Sequence, residues 1–239
     1  MKNLNAIIET PRDQLALDEA MLMSAEKCGS GEVLRVWEFA EPVVVAGRST
    51  RLEYEVDLSF CRSTGVEVLR RCSGGASVVG GPGCLMYSVV LSMLEKPELR
   101  KIDFAHQYVM SKVLNAVRLQ LPEVELRGIC DLAWHEKKCS GNSLRIHRDY
   151  LLYHGTILYD FDLQFLDQCL KGAPRQPKYR LGRQHYEFVT NVPIDPKGFA
   201  DTLCDHFAVT DAAELSTYEP IMNEVKENRY DTEAWHTRH

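Results

Sequence analysis

Nothing in this chain approaches the ~18 consecutive apolar residues that a membrane helix requires. The opening MKNLNAIIETPRD lacks the apolar core of a signal peptide, so the expected location is cytoplasmic. Basic charge is also in short supply: 28 Lys and Arg stand against 34 Asp and Glu, a net charge of −6 that argues against general nucleic-acid binding. The 8 cysteines are scattered and include no Cys-x-x-Cys pair, which excludes a disulfide framework of the small secreted type. Cys130, His135 and Cys139 have loose metal-ligand spacing but no fourth member, and a closed zinc site needs four ligands. No internal repeat or low-complexity linker interrupts the chain.

What is there reads as alternating punctuation and pattern. Thr10-Pro11-Arg12-Asp13 is a helix start, with a cap, a proline at the first position and an acid three residues after the cap. The following QLALDEAMLMSAEK places Leu15, Ala16 and Met23 on a broad apolar face. Strands are expected over 33–39, 42–48, 66–71, 84–92, 131–134, 139–147 and 150–161. A second long helix is expected from an Asp103 cap to about Leu121, with Phe104, Tyr108, Val109, Val113 and Val117 inward. Shorter helices follow over 165–171 and 198–207 and within the last thirty residues. Strands cluster centrally without strict βαβ alternation, which predicts an α+β fold around a mixed or antiparallel sheet.

The stretch RRCSGGASVVGGPG, residues 70 to 83, concentrates glycine as nowhere else in the chain. It fails as a Walker loop because Gly80 is followed by Gly81-Pro82, with no Lys-Ser/Thr. It fails as a dinucleotide fingerprint because Gly81-Pro82-Gly83 leads into a strand rather than a helix. What remains is a loop whose backbone can approach a ligand closely, with amides for an anion and two arginines beside them. Two further elements accompany it. Lys137-Lys138-Cys139-Ser140-Gly141-Asn142 pairs basic residues with a glycine, and Tyr153-His154-Gly155-Thr156 places polar groups inside an apolar strand.

LALDEAML, PVVVAGR, the acidic Glu55, VLRRCSGGASVV, KKCSGNS and YHGTILYDFDL occur in that order. Together they resemble the catalytic domain of the lipoate–protein ligase and octanoyltransferase family, related to biotin–protein ligases, over roughly residues 11 to 235. The resemblance implies a mixed-sheet fold like that of class II aminoacyl-tRNA synthetases, as one catalytic domain spanning 1–239 without a C-terminal accessory domain. It implies lipoate as substrate with ATP and magnesium, and delivery of the acyl group to a carrier lysine. The carrier would be a lipoyl domain of a 2-oxoacid dehydrogenase E2 subunit or the glycine-cleavage H-protein, with a separate accessory subunit as a further partner.

For the residues, the resemblance implies Lys138 as the catalytic ammonium on the reacting carbonyl and α-phosphate. Arg70 would contact acyl group or phosphate, and Arg71 would brace the loop. Ser73, Gly74, Gly75 and Ala76 would lie along the acyl chain and adenylate, and Asp131 near a magnesium ion or the incoming amine. Ser140, Gly141, Asn142, His154, Gly155 and Thr156 would line the neighbouring wall. This chain departs from the common ligase loop at Ala76, where a third glycine is usual, and at Gly80-Gly81, where a His-Asp pair is usual.

Two chemistries share such a pocket. A ligase makes an acyl-adenylate and needs no protein nucleophile; an octanoyltransferase needs a thiolate beside the lysine. Cys169 lies 31 residues past Lys138, in about the right region for that nucleophile, but lacks the Asn-Pro-Cys-Gly turn of one transferase branch. It shares an apolar helical face with Phe165, Leu166 and Leu170. ATP-dependent ligation is the favoured expectation. The alternatives are acyl transfer through a cysteine, the catalytic half of a split ligase, and a non-catalytic homologue that binds lipoyl domains.

Overall fold

Thr10 is extended (φ −104°, ψ 147°), and its hydroxyl accepts from the Asp13 amide at 3.2 Å, while Pro11 has no donor to strand. The chain therefore enters α1 (Pro11–Cys28) as predicted, and leaves it at Gly29 in the left-handed region, φ 66°. The computed structural model describes residues 1–172 and 176–238. Its strands are β1 (Lys2–Asn3), β2 (Val33–Trp37), β3 (Val43–Ala46), β4 (Glu67–Arg70), β5 (Val78–Gly80), β6 (Cys84–Ser92), β7 (Glu125–Arg127), β8 (Asp131–Trp134), β9 (Lys137–Ser140), β10 (Asn142–Ile146), β11 (Tyr150–Leu158) and β12 (Asp211–Ala212). Helices after α1 are α2 (Leu52–Glu55), α3 (Leu58–Thr64), α4 (Ile102–Arg118), α5 (Leu163–Cys169), α6 (His185–Phe188), α7 (Pro196–His206), α8 (Glu219–Val225) and α9 (Glu233–Thr237).

The main sheet has six strands in the order β10-β11-β6-β2-β1-β12. It is antiparallel from β10 to β2, and β1 runs parallel to both its neighbours, so the sheet is mixed as expected. β6 and β11 pair along nine positions, from Tyr150 opposite Ser92 to Leu158 opposite Cys84. Every residue of β6 is buried because both faces are covered, which is why CLMYSVVLS reads as one apolar run. Even-numbered residues such as Met86 and Val90 join α1 and the small sheet β4-β3-β5 in one core. Odd-numbered residues such as Val89 and Leu91 join α4 and α7 in the other.

Three expectations need correction. Lys101, extended at φ −87° and ψ 120°, is the residue before α4, and Asp103 sits inside the first turn near the positive end of the helix. The inward face then runs through Ala105, Val109, Val113 and Val117, which leaves Phe104 49% exposed. The strand expected over 139–147 is two strands, because the chain changes partners at Gly141: β9 pairs with β8, and β10 pairs with β11.

The end of the described chain is tied to β4 through Arg70. Its Nε donates to the carbonyls of Trp235 and His236 at 3.1 and 3.2 Å, Nη1 to Gly47 and Thr50 at 2.7 and 2.9 Å, and Nη2 to Arg238 at 2.7 Å. The indole of Trp235 returns a hydrogen bond to the Arg70 carbonyl at 2.9 Å. A fully buried guanidinium solvated by carbonyls in this way acts as a clasp. Arg70→Ala would leave those carbonyls buried without donors. The expected loss is about 3–5 kcal/mol of stability, read as a lower urea midpoint at unchanged slope.

Candidate active site

Strand register places Arg35, Ser88, His154 and Ser143 side by side across β2, β6, β11 and β10. Alternation turns all four toward the same face, and buried polar groups there need partners. Asp18 of α1, 2% exposed, serves three of them: Ser88 Oγ donates at 2.8 Å, His154 Nδ1 lies at 2.9 Å, and Arg35 Nη1 approaches to 3.4 Å. Arg35 completes its fork on the Gln14 side chain, and burial draws its pKa down to about 10 against the pull of Asp18. The fourth member, Ser143, donates to the Gly74 carbonyl at 2.9 Å.

The other end of His154 reaches the glycine-rich loop: Nε2 lies 2.5 Å from Ser73 Oγ. With Nδ1–H given to Asp18, Nε2 is placed to accept the serine proton. Ser73 Oγ is then free to accept from Arg71 Nε at 3.0 Å. Arg71 also donates to the carbonyls of Val45, Gly74 and Ala76, so it does brace the loop from within. Burial lowers its pKa to about 10. Glu55 adds a further tie by accepting from the Ser77 amide at 2.7 Å. Two glycines are required by contact. A Cβ on Gly47 would strike the Gly75 carbonyl, and one on Gly155 would strike the Asn142 amide.

Lys138 stands on β9 with Nζ 2.7 Å from Asp131 Oδ1, and Tyr179 donates to Asp131 Oδ2 at 2.9 Å. Burial and the adjacent carboxylate raise the Tyr179 pKa, which keeps it a hydrogen-bond donor. The lysine lies where two cavities meet, each also lined by Ala76, Ser77, Val78, Gly141 and Thr156. The one against α1 has a volume of about 130 Å³ and an apolar wall of Leu15, Trp37, Val45 and Met86, with Asp18 and His154 beside it. The other, about 140 Å³, is walled by Leu158, Leu166, Phe188 and Val189, with Arg180 and His185 at its edge. Burial and the nearby Arg180 charge lower the His185 pKa. A slot of apolar walls with one cation at the waist suits an acyl chain whose carboxylate stops at the lysine.

The structure thus brings together most of the residues singled out in sequence. Ala76, Ser140, Gly141 and Thr156 line the cleft around Lys138; Gly75, Asn142, His154 and Gly155 line its α1 side. Ser73 and Gly74 stand behind that wall through His154 and Ser143. Arg70 does not join them: it lines neither cavity, and its guanidinium is turned onto backbone carbonyls rather than toward the expected acyl group or phosphate. Asp131, expected near magnesium or the incoming amine, has one oxygen on Lys138 and the other on Tyr179 in this structure. Among the described residues no group of three or more His, Cys, Asp or Glu is placed to hold a metal. Cys130 and Cys139 point their thiols at the carbonyls of Asn142 and Leu132 instead of toward His135. Cys169 is fully buried against Cys61, and burial pushes its thiol up to about 12.

Asp18, Arg35, Ser143, Tyr179, Arg180 and His185 were not singled out in the sequence. Asp18 alone carried a signal, an acid in the middle of the apolar helix LALDEAML. Asp18→Asn should release the His154 tautomer and leave Arg35 without its counter-charge. Nitrogen-15 NMR of the ring should show Nδ1–H in the native protein and its loss in the variant. Stability should fall by about 3 kcal/mol or more.

The geometry can be set beside known proteins. The family model of the lipoyl protein ligase A/B catalytic domain matches residues 10–208. Lipoate-protein ligase A subunit 1 of Thermoplasma acidophilum is 27% identical, across 96% of this chain and 94% of its own length. An octanoyltransferase LipM of Carboxydothermus hydrogenoformans is 31% identical, across 71% of this chain and 68% of its own. A solved bi-partite lipoate protein ligase of T. acidophilum, described with its E2 lipoyl domain, matches with a TM-score of 0.81 at 26% identity, over 99% and 95% of the two chains. A lipoate-protein ligase A bound with ATP gives a TM-score of 0.81 at 24% identity over 99% of each chain, a likeness of fold. With its class II synthetase-like sheet and its ordered motifs, the chain belongs to the lipoyl protein ligase A/B catalytic-domain family of enzymes.

Proposed function

We propose that this enzyme activates lipoate with ATP and passes the lipoyl group to a lysine of a lipoyl carrier domain. The observation that carries this reading is Lys138, an ammonium at the waist between an apolar slot and a second chamber. The acyl tail would occupy the slot against α1, and its carboxylate would meet Lys138. Attack of that carboxylate on the α-phosphate forms the acyl-adenylate and releases pyrophosphate. Negative charge grows on the phosphate oxygens in this step, and the Lys138 ammonium would stabilise it. Magnesium would arrive with ATP as part of the substrate.

When Lys138 turns to the phosphate, Asp131 Oδ1 loses its partner and can receive a hydrogen bond from the incoming carrier amine. The amine attacks the acyl carbonyl, AMP leaves, and an amide remains. Tyr179 holds Asp131 in position through both half-reactions. The T. acidophilum relative is named a lipoate-protein ligase A subunit, which supports the ligase chemistry and a requirement for a second polypeptide.

Acyl transfer through a cysteine fits the arrangement less well, although a relative is named octanoyltransferase. Burial raises Cys130 to about 11, and Cys72, Cys84, Cys139 and Cys169 to about 12, so these thiols hold little thiolate at neutral pH. The test incubates the protein with Mg-ATP, lipoate and apo lipoyl domain or apo H-protein, and separately with octanoyl-loaded acyl carrier protein. Mass spectrometry reads the carriers, with and without a candidate accessory subunit. Lipoylation that depends on ATP is the expected outcome. Lys138→Ala should lower it by about 10²–10³-fold without unfolding the chain. Modification only from the thioester donor, lost in Cys169→Ala, would overturn the ligase assignment.

A further inference from the structure

Two large apolar side chains stand in solvent close in sequence to the Lys138–Asp131–Tyr179 group, Ile129 also bordering a groove along α4 with Met110, Leu114 and Leu126. Ile129, two residues before Asp131, is 73% exposed, and Leu181, two residues after Tyr179, is 84% exposed. Their loops touch: a Cβ on Gly128 would lie 3.7 Å from the Tyr179 ring and 3.9 Å from Pro177. Arg183 fastens the second loop by donating to the carbonyls of Glu136 and Tyr179 at 3.0 and 2.8 Å. The segment beyond it is hydrogen-bonded to the lysine strand, with the Thr190 amide 2.9 Å from the Lys138 carbonyl.

Single exposed apolar residues are ordinary on any protein surface. Leu181 differs in its backbone, which sits in the left-handed region at φ 53°, followed by Gly182 at φ 74°. A branched side chain is disfavoured there, and no burial compensates it. The loop holds an apolar residue outward, at the rim of the catalytic cleft, where an aspartate or asparagine would suit the backbone better.

Three cations stand around this rim, and the one carboxylate between them, Glu136, is paired with Arg127. Lys137 and Lys178 are exposed, and among the described residues neither they nor Arg183 forms an ion pair with a carboxylate of the chain. That basic arc lies on a protein whose net charge is −6. A lysine side chain spans roughly 6 Å from backbone to ammonium. A carrier whose lysine attacks beside Lys138 must therefore lay its own backbone on this rim.

We infer that Ile129 and Leu181, within the arc of Lys137, Lys178 and Arg183, form the surface on which the acyl-accepting carrier domain seats the turn bearing its lysine. The inference rests on the acyl-transfer reading above. The fitting partner presents apolar contacts beside the lysine and an acidic surround, and its affinity weakens as salt rises.

The test uses the full chain, Ile129→Asn, Leu181→Asn and the double variant; asparagine tolerates the left-handed backbone at position 181. Lipoate-dependent ATP–pyrophosphate exchange and capture of the lipoyl group by hydroxylamine report the site without a carrier. Both should stay within about twofold of the native protein, while the KM for apo lipoyl domain rises about tenfold or more in the double variant. An unchanged carrier KM overturns the docking surface and leaves the ligase reading intact. A parallel loss of exchange also overturns it, since the rim would then serve the nucleotide or the fold. Loss of binding to an accessory subunit in place of the carrier assigns the rim to that subunit and overturns the proposal. Absence of both exchange and hydroxylamine capture in the native protein, with the accessory subunit present, removes the ligase reading and the docking surface with it.

Discussion

The carboxylate of Asp18 is the point on which the rest of the site depends. It is a buried charge, and burial of a charge is unfavourable unless partners replace water around it. Here the replacement is a cation on β2, a hydroxyl on β6 and an imidazole on β11, aligned by the sheet register. The helix, three strands and, through Ser73, the glycine-rich loop are thereby joined in one polar network. Its cost in desolvation is offset by hydrogen bonds that only this packing of α1 on the sheet can supply. A network of this kind tolerates no half-made state, because each member left alone would be a buried unpaired group.

The two adjacent arginines divide the structural labour. Arg71 turns inward and holds the loop against β3 through carbonyls of both, while Arg70 turns the other way and gathers carbonyls from the last helix. Among the described residues neither guanidinium is balanced by a carboxylate at hydrogen-bond distance; backbone carbonyls do the work that an acid would do elsewhere. The wall of the cleft is therefore stiffened from two sides, and the segment after Thr232 contributes to that stiffness although it lines neither cavity.

Much of the fold was legible because it obeys single-element rules. The Thr10 cap with Pro11 set the start of α1, and the unbroken apolar run of 84–92 matched a strand buried on both faces. The errors arose where neighbours decide. Phe104 lies one residue before the inward stripe of α4, a shift that periodicity alone does not resolve. Gly141 ends one strand and opens another because its flanks pair with different sheets. At the site, Lys138, His154 and the glycines stood out as polar or small residues in apolar company. Asp18 and Arg35 gain meaning only from each other, across a helix and a sheet, and Tyr179 to His185 follow no period at all. Two identical arginines in sequence had opposite destinations that only β4 pairing and the C-terminal helix could assign.

The pairing of Lys138 with Asp131 carries the chemistry one step further. A lysine at 2.7 Å from a carboxylate is preorganised but engaged, and under the proposed ligation it would exchange that partner for a phosphate before it could stabilise growing charge. Under the proposed ATP-dependent reaction the exchange would have a useful consequence, because the carboxylate would be released only once the nucleotide had claimed the ammonium. Asp131 then becomes an acceptor at the rim, close to the turn that carries Ile129. An amine arriving before activation would find the acceptor occupied; one arriving after it would find the acceptor open. In that reading the same ion pair would order the two proposed half-reactions.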